Sequence, residues 1–184
     1  MVASRSDQIL QAAARLFAER GYGATGIDDI GAEVGVSGPA IYWYFPGKQA
    51  LLAAMLADVS ERLLAGGREC VAQSKDDEAA LAALVAMQVE FALEEPDLIV
   101  VHGRELHHLD TAQAHAVRSL QRQYVDVWVD VVERLHPGVP RQRLAAAVQA
   151  AIGLVNSTPY VGKLPRKALA PLLHDMALAA LNAV

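Results

Sequence analysis

Apolar residues along this chain recur at intervals of three and four positions, and no segment alternates β-branched and polar residues as a strand does. Alanine, leucine, glutamate and arginine recur at helical spacing, and all four favour helices. This pattern excludes folds that need a sheet. We therefore predict an all-α protein.

Glycine, proline and capping residues predict where the helices begin and end. Helix 1 is expected from about Ser4 to Arg20, with Ser4 as N-cap and Gly21 as the residue that ends it. Further helices are predicted at about 25–34, 37–45, 48 to beyond 62, 76–95, 97–108, 111–135, 141–156 and 165–182.

Composition narrows the possible compartments and partners. With 184 residues, of which 53% are hydrophobic, the chain can form one large domain or two small ones that share a core. The formal net charge of -5 gives no overall attraction to nucleic acid. Cys70 is the single cysteine, so neither an intrachain disulfide nor a thiolate metal cluster can form. The N-terminus lacks a signal-peptide pattern and no apolar run is long enough for a membrane span, so we expect a cytoplasmic protein without a membrane partner.

The sequence Gly35-Val36-Ser37 joins two short predicted helices. Glycine allows the left-handed backbone that reverses the chain, and Ser37 is expected to cap the second helix. This is the arrangement of a helix-turn-helix, although many other helical corners share it.

Four of the ten aromatic residues (two Trp, five Tyr, three Phe) are consecutive, at positions 42–45. Successive side chains on a helix point about 100° apart, so four in a row cannot all be buried in a small domain. We expect Tyr44 and Phe45 to face the core with Ile41, and Tyr42 and Trp43 to be exposed to a partner. The alternative interpretation is an unusually aromatic core corner.

Taken together, these segments are similar to the DNA-binding domain of the TetR family of transcription regulators. The resemblance covers about residues 5–55 and rests on five matching stretches: Gly21-Tyr22-Gly23-Ala24-Thr25, Ile27-Asp28-Asp29-Ile30, Gly35-Val36-Ser37, Ile41-Tyr42-Trp43-Tyr44-Phe45, and Lys48 with Leu51-Leu52.

The resemblance implies an N-terminal three-helix helix-turn-helix domain, residues 1–48, and a C-terminal helical ligand-binding and dimerisation domain, residues 49–184. It implies a homodimer that binds double-stranded operator DNA and is released by a small-molecule effector. It also implies which residues meet DNA: Thr25 and Lys48 at phosphates, and the recognition surface Ser37, Gly38, Pro39, Ala40, Tyr42 and Trp43. Arg5 either reaches phosphate or the minor groove, or belongs to a solvated terminus.

The sequence departs from the family pattern at the DNA-binding surface. Gly26 stands where a second Thr or Ser is common, and Pro39 replaces a frequent glycine. Helix 3 carries no Arg, Asn or Gln, so bidentate base recognition from that helix is unavailable. Residues 1–50 contain four cations and five anions, so affinity must come from local geometry and from a doubled site. Base discrimination would rest on thymine methyl groups and DNA shape.

Large side chains in the C-terminal part are candidates for an effector site. Tyr124 and Trp128 share a stripe of the helix predicted at 111–135, and Met87 and Phe91 on the preceding long helix are expected to face them. The stripe either packs the core or lines a ligand cavity. Asn156 is either a polar group of that cavity or a helix cap. The composition favours an apolar or amphipathic effector, whose anionic end would meet an arginine among Arg104, Arg118 and Arg122.

Two further hypotheses compete with this assignment. His102, His107, His108 and His115, with Glu105, suggest a metal site or a small helical enzyme, but no tight ligand repeat and no nucleophile-base pair supports either. We therefore expect no enzyme activity, no metal and no cofactor. In the other hypothesis, Tyr42 and Trp43 bind a protein. The last two helices, with small residues among large ones, are expected to form the dimer interface.

Overall fold

The computed structural model describes residues 4–161 and 164–184, and the all-α prediction is confirmed. Within these residues the chain forms helices and turns without strands. The helices are α1 (Arg5–Arg20), α2 (Ile27–Glu33), α3 (Gly38–Ile41), α4 (Lys48–Gln73), α5 (Asp77–Glu94), α6 (Pro96–Glu105), a 3₁₀ turn (Leu106–His108), α7 (Thr111–Leu135), α8 (Arg141–Val155) and α9 (Arg166–Asn182).

The first helix begins as its sequence predicts. The Ser4 hydroxyl accepts from the Asp7 amide at 3.1 Å, and the Asp7 carboxylate accepts from the Ser4 amide at 2.9 Å. This reciprocal pair satisfies two amides that the helix itself leaves without acceptors. The predicted ends of α7, Thr111 and Leu135, also agree with the structure.

Helix α3 is shorter than the sequence predicts. Its α-helical part ends at Ile41, and the chain continues through turns to Tyr44. The Ile41 carbonyl oxygen accepts hydrogen bonds from the backbone amides of Tyr44, at 2.9 Å, and Phe45, at 3.0 Å. The last turn is therefore tightened. Helix α2 begins at Ile27 instead of Thr25, because Gly26 is its N-cap.

Contacts along the chain define two compact units. One contains residues 4–59 and 97–117, with a core that includes Ile9, Phe17, Ile30, Ile41 and Leu52. The predicted domain boundary after residue 48 stays a prediction. The first unit is notable because it contains α6 and the start of α7, which lie far from the N-terminal helices in the sequence.

The second unit contains residues 60–96, 118–161 and 164–184. In it, α5, α8 and α9 pack against one another around a core that includes Leu84, Val85, Leu144, Val148, Leu173 and Leu181. Among the helices described here, none is long and apolar enough to cross a membrane.

Candidate nucleic-acid interface and ligand site

A tight turn joins α2 to α3. Gly35 has a φ of +71°, a left-handed conformation that favours glycine. The Val36 amide donates to the Gly31 carbonyl at 2.8 Å. A Cβ at position 31 would lie 2.8 Å from the Val36 carbonyl oxygen, so only glycine lets the turn pack this closely on α2. The turn therefore has the helix-turn-helix geometry that the sequence predicts.

The aromatic run after α3 is largely exposed. Tyr42 is 55% and Trp43 88% exposed, whereas Ile41 and Phe45 are buried, all as predicted. The prediction that Tyr44 faces the core is wrong, because this side chain is 48% exposed. Ile41 and Phe45, four residues apart, occupy the core side of this turn, and Tyr44 lies at its solvent edge. Three neighbouring aromatic side chains thus meet solvent.

The other residues of the predicted recognition surface differ in exposure. Ser37 and Pro39 are exposed, Ala40 is half-buried, and Gly38 is buried against Asp28. Ser37 is the N-cap residue of α3, but its hydroxyl makes no capping hydrogen bond; the Ser37 carbonyl instead accepts from the Ala40 amide at 2.9 Å. The Ser37 hydroxyl is therefore not needed to cap the helix.

The two predicted phosphate ligands have internal partners. The Thr25 hydroxyl is buried and donates to the Gly21 carbonyl at 3.0 Å, within reach of the Leu16 carbonyl at 3.3 Å. The Lys48 ammonium donates to the carbonyls of Tyr22 at 2.7 Å and Thr25 at 2.8 Å, and lies 4.3 Å from the centre of the Tyr22 ring. Both side chains stabilise the loop that precedes α2, and their phosphate contacts stay predictions.

The remaining cations of residues 4–50 are also engaged. Arg15 forms an ion pair with Glu33, and Arg20 lies 4.0 Å from Asp29, so both tie α1 to α2. Arg5 donates to the Val34 carbonyl at 3.1 Å and to the Gln8 side chain at 2.9 Å. Since exposed ion pairs contribute only about 0–1 kcal/mol, DNA phosphates can compete for these groups. Arg5 is held at the end of α2, which is close to the turn.

The predicted histidine cluster packs on the same unit. Tyr22 stacks on His108 with ring centres 4.4 Å apart, and His107 lies next to His108 at 4.0 Å. His108 Nε2 is 3.3 Å from the buried Glu105 carboxylate, and the Gln49 amide donates to the His108 carbonyl at 2.8 Å. Burial raises the pKa of the Tyr22 phenol. Among the described residues, no three His, Cys, Asp or Glu side chains are positioned to hold one metal ion.

Two of the predicted effector residues, Tyr124 and Asn156, are joined through Gln88 in a row of hydrogen-bonded polar side chains in the second unit. The Tyr124 hydroxyl donates to Gln88 Oε1 at 2.7 Å, and Gln88 Nε2 donates to Asn156 Oδ1 at 2.8 Å. The Trp128 ring meets the Tyr124 ring edge-on, with centres 6.0 Å apart. Burial raises the pKa of Tyr124, and the nearby Trp128 indole acts in the opposite direction. Sequence reasoning missed Gln88; the signal was a polar residue on the apolar side of α5.

The other two predicted effector residues, Met87 and Phe91, are half-buried on α5. Met87 Sδ lies 4.0 Å from Cys70 Sγ on α4. Asn156 is the C-cap residue of α8, so its backbone and its side chain have separate roles. The ligand-binding role of these residues stays a prediction.

Helix α9 carries exposed apolar side chains. Leu172 is 47% and Met176 46% exposed, and they border a groove of about 480 Å³. The groove is lined by Leu154, Ser157, Val161, Leu164, Leu169, Leu172, Leu173 and Met176. Such a surface on α8 and α9 is consistent with the predicted dimer interface.

Comparison with known families gives two matches that together span most of the chain. Residues 9–55 match the model of bacterial regulatory proteins of the tetR family. Residues 74–181 match the model of a tetracyclin repressor-like C-terminal domain. The second match alone covers more than half of the chain.

Individual relatives agree with the family models. The HTH-type transcriptional repressor KstR2 of Rhodococcus jostii (strain RHA1) is 30% identical over 130 residues, which are 70% of this chain but only 64% of that protein. The chain thus spans just under two thirds of this relative's length.

Solved structures share the fold. A TetR-family regulator from Bordetella parapertussis is 27% identical with a TM-score of 0.83, over 94% of this chain and 93% of that one. The ketosteroid transcriptional regulator KstR2 of Mycobacterium tuberculosis is 21% identical with a TM-score of 0.81, over 97% of this chain and 95% of that one. The second likeness shows the fold alone.

Proposed function

Since the chain belongs to the TetR family and is a transcription regulator, not an enzyme, we propose that it is a repressor which a small apolar or amphipathic effector releases from its operator. The working form is a homodimer in the cytoplasm, bound to double-stranded DNA. The relative KstR2 of Rhodococcus jostii is named a transcriptional repressor, which agrees with the proposed repression.

The observation that carries the proposal is the exposure of Tyr42 and Trp43 directly after a helix-turn-helix. Large aromatic side chains are costly to leave in water unless a partner covers them. In a helix-turn-helix, the second helix enters the major groove. Apolar contact with thymine methyl groups suits these side chains, and the absence of Arg, Asn and Gln from α3 agrees with such recognition.

The charge distribution supports a DNA complex that depends on geometry. The four cations of residues 4–50 all have protein partners, so each phosphate contact must replace an existing contact and gains less free energy. Binding then requires both helix-turn-helix units of a dimer to dock together, about 34–36 Å apart or a multiple of the DNA turn. A ligand that alters this spacing abolishes binding without touching the DNA surface.

Helix α4 is the element through which an effector would act. It runs without interruption from Lys48 to Gln73. Lys48 holds the loop before α2, and Gly66 and Gly67, near the other end of the helix, lie close to Met87 and Tyr124. An effector that binds better when α4 is tilted shifts the protein towards the released state.

A footprint on DNA upstream of the protein's own gene, repeated with candidate effectors, tests the proposal. We expect a symmetric protected site that is lost when the effector is added. The Trp128→Ala variant should protect the same site without effector but respond to it weakly or not at all. An effector that releases this variant at the wild-type concentration would place the ligand site elsewhere, and the absence of any protected site would contradict the function itself.

A further inference from the structure

Trp128 is only 1% exposed, and its buried indole nitrogen makes no hydrogen bond within the described residues. A buried N–H without an acceptor costs free energy, and native proteins rarely tolerate one without a reason. The Tyr124 hydroxyl is nearby and donates its own proton to Gln88, and its oxygen does not accept from the indole with hydrogen-bond geometry. The indole therefore remains a donor that an incoming acceptor can use.

The polar side chains that form a hydrogen-bonded row beside the Trp128 ring are uncharged. Gln88 is 1% exposed and bridges Tyr124 to Asn156, so two carboxamides and a phenol form a continuous row. Each member has at least one bond to its neighbour, which fixes the row in place. This row offers no charge that could balance a charged ligand group buried beside it. A neutral ligand oxygen needs only a hydrogen-bond donor.

The packing next to the row depends on two glycines of α4. A Cβ at Gly67 would lie 3.0 Å from the Tyr124 ring, and a Cβ at Gly66 would lie 2.8 Å from Met87 Sδ. Helix α4 therefore approaches α5 and α7 closely at this level. Methionine has three rotatable bonds and repacks readily, so the half-buried Met87 is the side chain that can yield to a ligand.

We propose that Trp128 Nε1 and the Gln88–Asn156 amide pair form a recognition site for an uncharged carbonyl oxygen carried by a mainly apolar effector, such as a ketone, ester or lactone. This inference rests on the proposed function, because it names the chemical class of its effector. Trp128 donates the hydrogen bond, the amide row orients the polar end, and Met87 moves aside for the apolar body.

Three probes with the same number of carbon atoms test this assignment: 2-undecanone, undecanoate and undecane. Binding is measured on the Trp43→Phe variant, in which Trp128 is the single tryptophan and reports through its fluorescence. We expect a saturable change in the Trp128 emission with the ketone, and weaker binding of both undecanoate and undecane. No saturable change with the ketone would overturn the proposal.

The hydrogen bond itself is tested by calorimetry on Trp128→Phe, which keeps an aromatic ring and removes the donor. Ketone affinity should fall about 2–10-fold, the effect of one neutral hydrogen bond, while undecane affinity stays within about 2-fold. Trp43→Phe, the same substitution at an exposed site outside the proposed ligand site, is the matched control. Its affinity for the ketone should equal that of the wild type. Equal ketone affinity in both variants would exclude Trp128 as the donor.

These results separate the site from the function. If 2-undecanone does not bind but another compound releases the protein from its footprint, the recognition site is wrong and the repressor function stands. If the ketone binds as expected but no compound changes the footprint, the site is supported and effector release is wrong.

Discussion

Tyr22 and His108 stack with ring centres 4.4 Å apart and planes 24° apart, although one follows α1 and the other ends the 3₁₀ turn after α6. Tyr22 also contacts Phe17, at 5.3 Å between ring centres, and lies under the Lys48 ammonium. The loop that positions α2 is thus packed between residues from widely separated parts of the chain.

A double-mutant cycle with Tyr22→Leu and His108→Ala measures this stack. Each change should lower the free energy of unfolding, and the two losses should be less than additive, with a coupling of about 0.5–1.5 kcal/mol. Urea unfolding followed by circular dichroism gives the four values. Strict additivity would show that the stack contributes no stability.

Lys48→Met should lower the free energy of unfolding by about 1–2 kcal/mol, because two charge-assisted hydrogen bonds to loop carbonyls are lost. Operator and random DNA should both bind more weakly, and the slope of log affinity against log salt should fall by about one unit if Lys48 also meets phosphate. Lys75→Met, at a lysine with an 84% exposed side chain, is the control and should change stability by less than about 0.5 kcal/mol. Wild-type stability in Lys48→Met would contradict the loop-holding role.

Most of the fold follows from local sequence signals. The cap at Ser4, the left-handed Gly35 and the long amphipathic pattern of α7 each have a physical cause within a few residues, and the structure agrees with all three. The exposure of Tyr42 and Trp43 was predictable for the same reason, because four consecutive aromatic residues exceed what a small domain can bury.

Features that depend on distant contacts were not predictable. The prediction for Tyr44 assumed that it shares the core side of α3 with Ile41 and Phe45, but only those two side chains are buried. The internal bonds of Thr25 and Lys48 require the loop conformation, and the stack of His108 on Tyr22 requires knowing that residues 97–117 pack with the N-terminal helices. No local pattern encodes any of these contacts.

The dimer prediction is tested by Leu172→Arg and Met176→Arg. Both side chains are about half exposed in the single chain, so the protomer should fold while a dimer interface on α9 is lost. Ala86→Arg adds the same charge at an exposed position of α5, which has no exposed large apolar side chain, and should remain dimeric. Analytical ultracentrifugation gives the masses, and dimers of unchanged mass in both α9 variants would locate the interface elsewhere.

The central claim, that the exposed aromatic surface after α3 binds operator DNA, is tested most directly by the operator affinity of Trp43→Ala, measured by fluorescence anisotropy beside the wild type. Trp43 is 88% exposed, so unfolding stability should change by less than about 0.5 kcal/mol. Operator affinity should fall about 10–100-fold, because both protomers lose a large apolar contact with the DNA. Wild-type operator affinity in a correctly folded Trp43→Ala dimer would contradict the account.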